Sequence, residues 1–107
     1  MGAKSKYRGL VAADIDGLVA QKTGTRRYDF ENFVPVDEVI HKINRLYRRG
    51  YVIIYYTARP VEYYKETFDW LIQHNCEFHA LRMGKMRADY YLDDHNENID
   101  NLLEKER

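Results

Sequence analysis

Apolar residues climb from Leu10 to Ala13 and then meet Asp14, Ile15, Asp16 and Gly17. Taken with its flank, the run 7–13 predicts a short strand buried on both faces of a parallel sheet. Residues 18–34 hold Gly24, two threonines and the pair Arg26–Arg27, with no steady period. They read as a hairpin-like flap. Pro35 stands where a first helical turn begins. From there Val36, Val39, Ile40, Ile43, Leu46 and Tyr47 fall on one helical stripe. Arg48 and Arg49 suit the negative helix end, and Gly50 suits its cap.

The run YVIIYY, 51–56, is β-branched and aromatic throughout and predicts a second strand. TARP ends it. Pro60 then opens a second helix with Val61, Tyr64, Phe68, Leu71 and Ile72 inward, and Asn75 is its stop. Residues 77–81 alternate as a third strand, and 82–89 form a loop or a single helical turn. A short fourth strand is predicted at 90–92. A closing helix at 96–105 turns Ile99, Leu102 and Leu103 inward. Strands alternating with helices in this way predict an α/β fold with a mainly parallel sheet of about four strands. Ligands bind beyond the carboxyl ends of such strands.

The composition narrows the class. A length of 107 residues fits one domain spanning 1–107, and 45% hydrophobic with 14% aromatic residues is enough for a core. Formal net charge is zero, so no global field recruits nucleic acid or an anionic membrane. A single cysteine, Cys76, excludes a disulfide framework and points to a reducing, cytoplasmic setting. The apolar run behind the basic N-terminus is too short for a signal peptide or a membrane span. His41, His74, His79 and His95 lack zinc-ligand spacing. Cys76 has no activating motif beside it.

The chemistry lies at the predicted strand ends. Asp14 and Asp16 end the first strand and Thr57 ends the second. Lys85 follows the third, and Asp93 and Asp94 end the fourth. Each feature alone has a plain structural explanation, a turn, a cap or a solvated charge. Together they fall on one sheet edge. Two acidic clusters there repel each other unless a cation intervenes, and carboxylate and carbonyl oxygens suit Mg²⁺.

DIDGL, IIYYTAR, GKMRAD and DDHNEN, in that order, resemble the four motifs of the haloacid dehalogenase (HAD) superfamily of phosphotransferases. The match runs from Tyr7 to about Leu103. Leu18 stands where that family usually has Thr or Val, and Lys85 lies closer to Asp93 than in most members, so Arg82 or Arg87 could take its place. The resemblance implies a Rossmann-like three-layer sandwich with strand order 4-1-2-3. It also implies Mg²⁺-dependent phosphomonoester hydrolysis through an aspartyl-phosphate. Asp14 would be the nucleophile and Asp16 the proton-transfer group. Asp14, the Asp16 carbonyl and Asp94, with Asp93 close behind, would hold the metal. Thr57 and Lys85 would bind phosphoryl oxygens. The gaps 18–35 and 59–85 are too short for a cap domain, so a neighbouring copy in a homo-oligomer could supply a lid. Arg26, Arg27 and Tyr28 are the flap's candidates for substrate contact.

Residues 26–59 are also similar to the phosphatase domain of phage polynucleotide kinase, including an Arg two positions after the Thr. That likeness implies a nucleic-acid 3′-end phosphatase in which Arg59 helps hold the phosphate. A sugar-phosphate phosphatase is a further alternative of the same chemistry. Two other classes are a receiver-like phosphoacceptor and a catalytically silent HAD binding module. A receiver's order of acids and its five strands fit this chain less well.

Overall fold

The computed structural model describes residues 7–84. In chain order its elements are β1 (Gly9–Asp14), β2 (Ala20–Gln21), a 3₁₀ turn (Phe30–Asn32), β3 (Val34–Pro35), α1 (Asp37–Arg48), β4 (Tyr51–Tyr56), a second 3₁₀ turn (Val61–Tyr63), α2 (Tyr64–Gln73) and β5 (Ala80–Arg82). The main sheet is parallel, in the order β1-β4-β5. Gly9 lies opposite Tyr51 and Asp14 opposite Tyr56, so β1 and β4 end level with each other. This is the α/β architecture read from the sequence, with its first three strands in the expected order. The predicted fourth strand and closing helix lie outside the described residues.

The α1 stripe folds as its spacing requires. Ile40 and Ile43 are buried, and Val39, Leu46 and Tyr47 pack against the core. Burying a side chain such as Ile40 contributes about 1.5–3 kcal/mol. Asp37 and Glu38 occupy the first turn and Arg45 and Arg48 the last, matching the helix dipole. Asn44 is the polar member of this buried face. Its amide donates to the Asn75 carbonyl (2.8 Å), and its oxygen accepts from the Glu77 N–H (2.8 Å). Asn44 therefore clamps the α2–β5 connection, where Asn75 takes the left-handed conformation (φ 62°) that ends the helix.

Four expectations change. Pro35 does not start α1. It pairs with Ala20 in the β2–β3 ladder, and the Val36 N–H donates to the Val19 carbonyl (2.8 Å), so the chain stays extended until Asp37. The third strand begins at Ala80 rather than 77. Before it, the His79 ring substitutes for backbone: Nδ1 accepts the Ile53 N–H (3.0 Å), while the His79 N–H donates to the Ile53 carbonyl (2.8 Å). The buried face of α2 is Thr67, Trp70 and Leu71, whereas Val61, Tyr64 and Ile72 are 67%, 46% and 53% exposed. The 3₁₀ turn ahead of α2 advances the chain at three residues per turn and shifts the phase of the stripe. Finally, among the described residues β1 is covered on one side. Val11 and Ala13 face the core, and Leu10, on the alternate side, is 57% exposed.

No described helix is long and apolar enough to cross a membrane.

Candidate active site

The alternation of β1 continues past its end. Ala13 and Ile15 are buried at 3% and 0% exposure, so Asp14 and Asp16 both face outward. The backbone then reverses on Ile15, whose carbonyl accepts the N–H groups of Leu18, Val19 and Ala20 (3.1, 3.0 and 3.0 Å). Gly17 donates to the Ala20 carbonyl (2.9 Å) with φ at +88°, in the left-handed region. Nothing lies within 4 Å of where its Cβ would stand, so conformation and not space selects glycine there. Val19 and Ala20, both fully buried, anchor the returning chain. The apolar residues thus fix the turn that presents the acids. The Asp14 carboxylate accepts the Ile15 N–H (2.8 Å).

The neighbouring strand end supplies the next group. Asp14 pairs with Tyr56, so Thr57 follows one residue past the ladder beside it. Thr57 is fully buried. Its N–H donates to the Arg82 carbonyl (2.9 Å), and its hydroxyl oxygen accepts the Arg59 N–H (3.1 Å), which folds a tight turn. The hydroxyl keeps its own proton to donate.

That turn aims Arg59 back at β1. Nη2 and Nε of Arg59 donate to the two Asp16 oxygens (2.6 and 3.0 Å), a bidentate pair. Nη1 donates to the Thr67 hydroxyl (3.0 Å), and the guanidinium lies 3.9 Å from the centre of the Phe30 ring. The two partners differ in exposure: the Arg59 side chain is 1% exposed and that of Asp16 is 39%. Asp16 is therefore held in one orientation from behind while its front meets solvent. A carboxylate fixed this way can exchange protons with a bound group without first searching rotamers.

A cavity of about 670 Å³ opens in front of Asp16 and Arg59. The flap residues Lys22, Arg27, Tyr28, Phe30 and Phe33 complete its lining. The flap is fastened at several points. The β2–β3 ladder closes its base, the Thr23 hydroxyl donates to the Asn32 carbonyl (3.0 Å), and the Trp70 indole N–H donates to the Phe33 carbonyl (3.0 Å). Tyr28 stacks on Tyr63 with ring centres 5.1 Å apart.

Of the residues singled out in the sequence, Asp14, Asp16, Thr57 and Arg59 come together at the carboxyl edge of β1 and β4. Arg27 and Tyr28 line the cavity, and Arg26 does not. Lys85, Arg87, Asp93 and Asp94 lie outside the described residues. Arg82 ends β5 with its side chain beside the Tyr56 ring. The Asp14 carboxylate and the Asp16 carbonyl are hard oxygen donors of the type Mg²⁺ prefers. Among the described residues no group of three or more acids, histidines or cysteines forms a metal cluster. The sequence did not reveal that Asp16 pairs with Arg59, 43 residues away, or that Thr67 supports that arginine.

A parallel α/β sheet with paired acids beyond its first strand defines a HAD-like protein. A family model described as the LNS2 domain of PITM 1-3 matches residues 11–107, and the chain belongs to that family, itself HAD-like. No curated protein sequence matches the chain. Among solved structures, a crystal structure of a target protein from Vibrio cholerae is 22% identical, with a TM-score of 0.63, over 92% of this chain and 98% of that one. A structure of a Pnkp1/Rnl/Hen1 complex is 20% identical, with a TM-score of 0.66, over 95% of this chain and 36% of that one. A Pnkp1/Rnl/Hen1 RNA repair complex gives 20% and 0.66, over 99% and 32%. The chain thus spans about a third of the length of the two complex chains it matches. At these identities the likeness establishes the fold.

Proposed function

We propose that the protein is a Mg²⁺-dependent phosphomonoester hydrolase acting through an aspartyl-phosphate. The observation that carries this reading is the division of labour between two acids on one strand end. Asp14 stands free of any cation among the described residues, while Asp16 is clamped by Arg59 at the mouth of a cavity. In this reading one carboxylate attacks and the other moves protons.

A carboxylate oxygen of Asp14 attacks phosphorus, and the bond from phosphorus to the leaving oxygen breaks. That oxygen takes a proton from Asp16, which enters the step protonated on a lone pair that Arg59 does not occupy, leaving the phosphoryl group on Asp14. Asp16 then accepts a proton from the incoming water, and phosphate departs with Asp14 restored. Arg59 is a positioning residue that acts through Asp16. The Thr57 hydroxyl proton and the Lys85 ammonium are the proposed donors to phosphoryl oxygens. Asp14, the Asp16 carbonyl and Asp94, with Asp93 beside it, would hold Mg²⁺, which supplies positive charge against the anionic phosphate. We treat 1–107 as a single catalytic domain without a cap.

The 670 Å³ cavity exceeds what a phosphate alone occupies, so the leaving group enters it as well. Its flap cations, and structural neighbours found in an RNA repair complex, favour a nucleic-acid 3′ end as the second reading over a neutral sugar phosphate. The test is a Mg²⁺-supplemented panel of sugar phosphates, nucleotides and 3′-phosphorylated oligonucleotides, with Asp14→Asn alongside. Phosphate release that vanishes in Asp14→Asn is expected. Release that survives the substitution removes Asp14 from the reaction.

A further inference from the structure

Among the described residues, the charges around the cavity do not cancel. Asp16 and Arg59 are engaged with each other in a bidentate pair. Lys22 and Arg27, on the flap wall, have no carboxylate partner among the described residues. The nearby acid Asp29 is turned aside, accepting from the Asn32 amide (2.9 Å). Arg27 instead lies over the Tyr28 ring, 5.4 Å from its centre, so among the described residues the flap side of the cavity carries two positive charges without an acid partner. Both line the same cavity as Asp16, which stands two positions along the chain from the proposed nucleophile Asp14. The flap is braced internally by the Thr23–Asn32 bond and tied to α2 by the Trp70–Phe33 bond, which holds this wall in place. A volume of about 670 Å³ is on the order of twenty waters, which is ample for a leaving group reaching from one side to the other.

We infer that Lys22 and Arg27 form a subsite for a second anionic group carried by the leaving group. The preferred substrates are then phosphomonoesters that bear a further phosphate, either phosphorylated nucleosides or sugar bisphosphates. This rests on the phosphatase reading for its chemistry, but the subsite itself is a binding property. Two cations at a partly open surface attract a second phosphate strongly enough to change affinity on the order of tenfold.

The experiment measures equilibrium binding by calorimetry at fixed Mg²⁺ and ionic strength, on the Asp14→Asn chain so that nothing is turned over. Adenosine 3′,5′-bisphosphate is compared with adenosine 3′-monophosphate, and fructose 1,6-bisphosphate with fructose 6-phosphate. At least one bisphosphate should bind about tenfold tighter than its monophosphate. The pair that shows the larger ratio identifies the source of the second anion. Lys22→Ala with Arg27→Ala should bring the ratio close to one, whereas Arg26→Ala, off the cavity wall, should preserve it. Equal affinity within both pairs, no binding of any probe, or a ratio that survives the double substitution would overturn the subsite. Preference without hydrolysis in the wild-type panel would overturn the phosphatase and leave the subsite standing. Hydrolysis with equal affinities would do the reverse.

Discussion

The unequal exposure of the Asp16–Arg59 pair predicts unequal costs for removing its members. Asp16→Ala strands a guanidinium whose side chain is 1% exposed, leaving Thr67 as its remaining hydrogen-bonded side chain. Removing one partner of a buried pair in this way costs roughly 3–5 kcal/mol. Arg59→Met keeps an unbranched stem against Phe30 and releases Asp16, which at 39% exposed recovers water. The cost is then the lost hydrogen bonds and an unpaired Thr67 hydroxyl, about 1–3 kcal/mol. The double variant has no stranded charge and should be close to Arg59→Met alone. The coupling energy is therefore about 3–5 kcal/mol, the full cost of Asp16→Ala, far above the error of a double-mutant cycle. Urea unfolding followed by Trp70 fluorescence and by circular dichroism reads all four proteins, with equal slopes required for the comparison. Should Asp16→Ala cost no more than Arg59→Met, or stabilise the protein, the guanidinium is not committed to Asp16 and the positioning role fails.

Three further outcomes follow from the geometry. Gly17→Ala places a side chain at φ +88° and should lower stability by about 1–2 kcal/mol, read as a shifted urea midpoint. Tyr55→Phe removes a buried hydroxyl whose polar neighbour among the described residues is the weakly bonding Cys76 sulfur, so it should change stability by less than about 1 kcal/mol. Burial first, with Asp37 adding to it, pushes the Cys76 thiol up to about 11 from 9.0, so the folded protein holds its proton more tightly than the unfolded chain does. Stability should therefore be full below pH 9 and fall as pH rises toward 11, and disulfide reagents should label native Cys76 slowly at pH 8 and faster with each step above it.

What the sequence made legible was what depends on near neighbours. The 3.6-residue stripe of α1 and the β-branched run of β4 each settle their element within a dozen residues; β4 stands where it was read, and α1 does too except that it starts at Asp37 and not at Pro35. So did the presentation of Asp14 and Asp16, because alternation with buried Ala13 and Ile15 is a local rule. The inward face of α2 was misread because the 3₁₀ turn at Val61–Tyr63 breaks the helical period just where counting began. The start of β5 was misread because a side chain, His79 Nδ1, takes a place a backbone carbonyl would hold. The Arg two residues after Thr57 was noticed as a phosphate binder. Its engagement with Asp16 depends on the register of β1 against β4 and on Thr67 facing inward, and neither is a property of the segment that carries Arg59.

The central claim is that Asp14 carries the phosphoryl group during turnover. Quenching the Mg²⁺-supplied protein during hydrolysis of its best panel substrate, reducing the acyl phosphate with borohydride and sequencing the peptides by mass spectrometry locates the carrier. The account predicts homoserine at position 14 and unmodified Asp16. Sustained hydrolysis with Asp14 unmodified, or modification at any other residue, contradicts it.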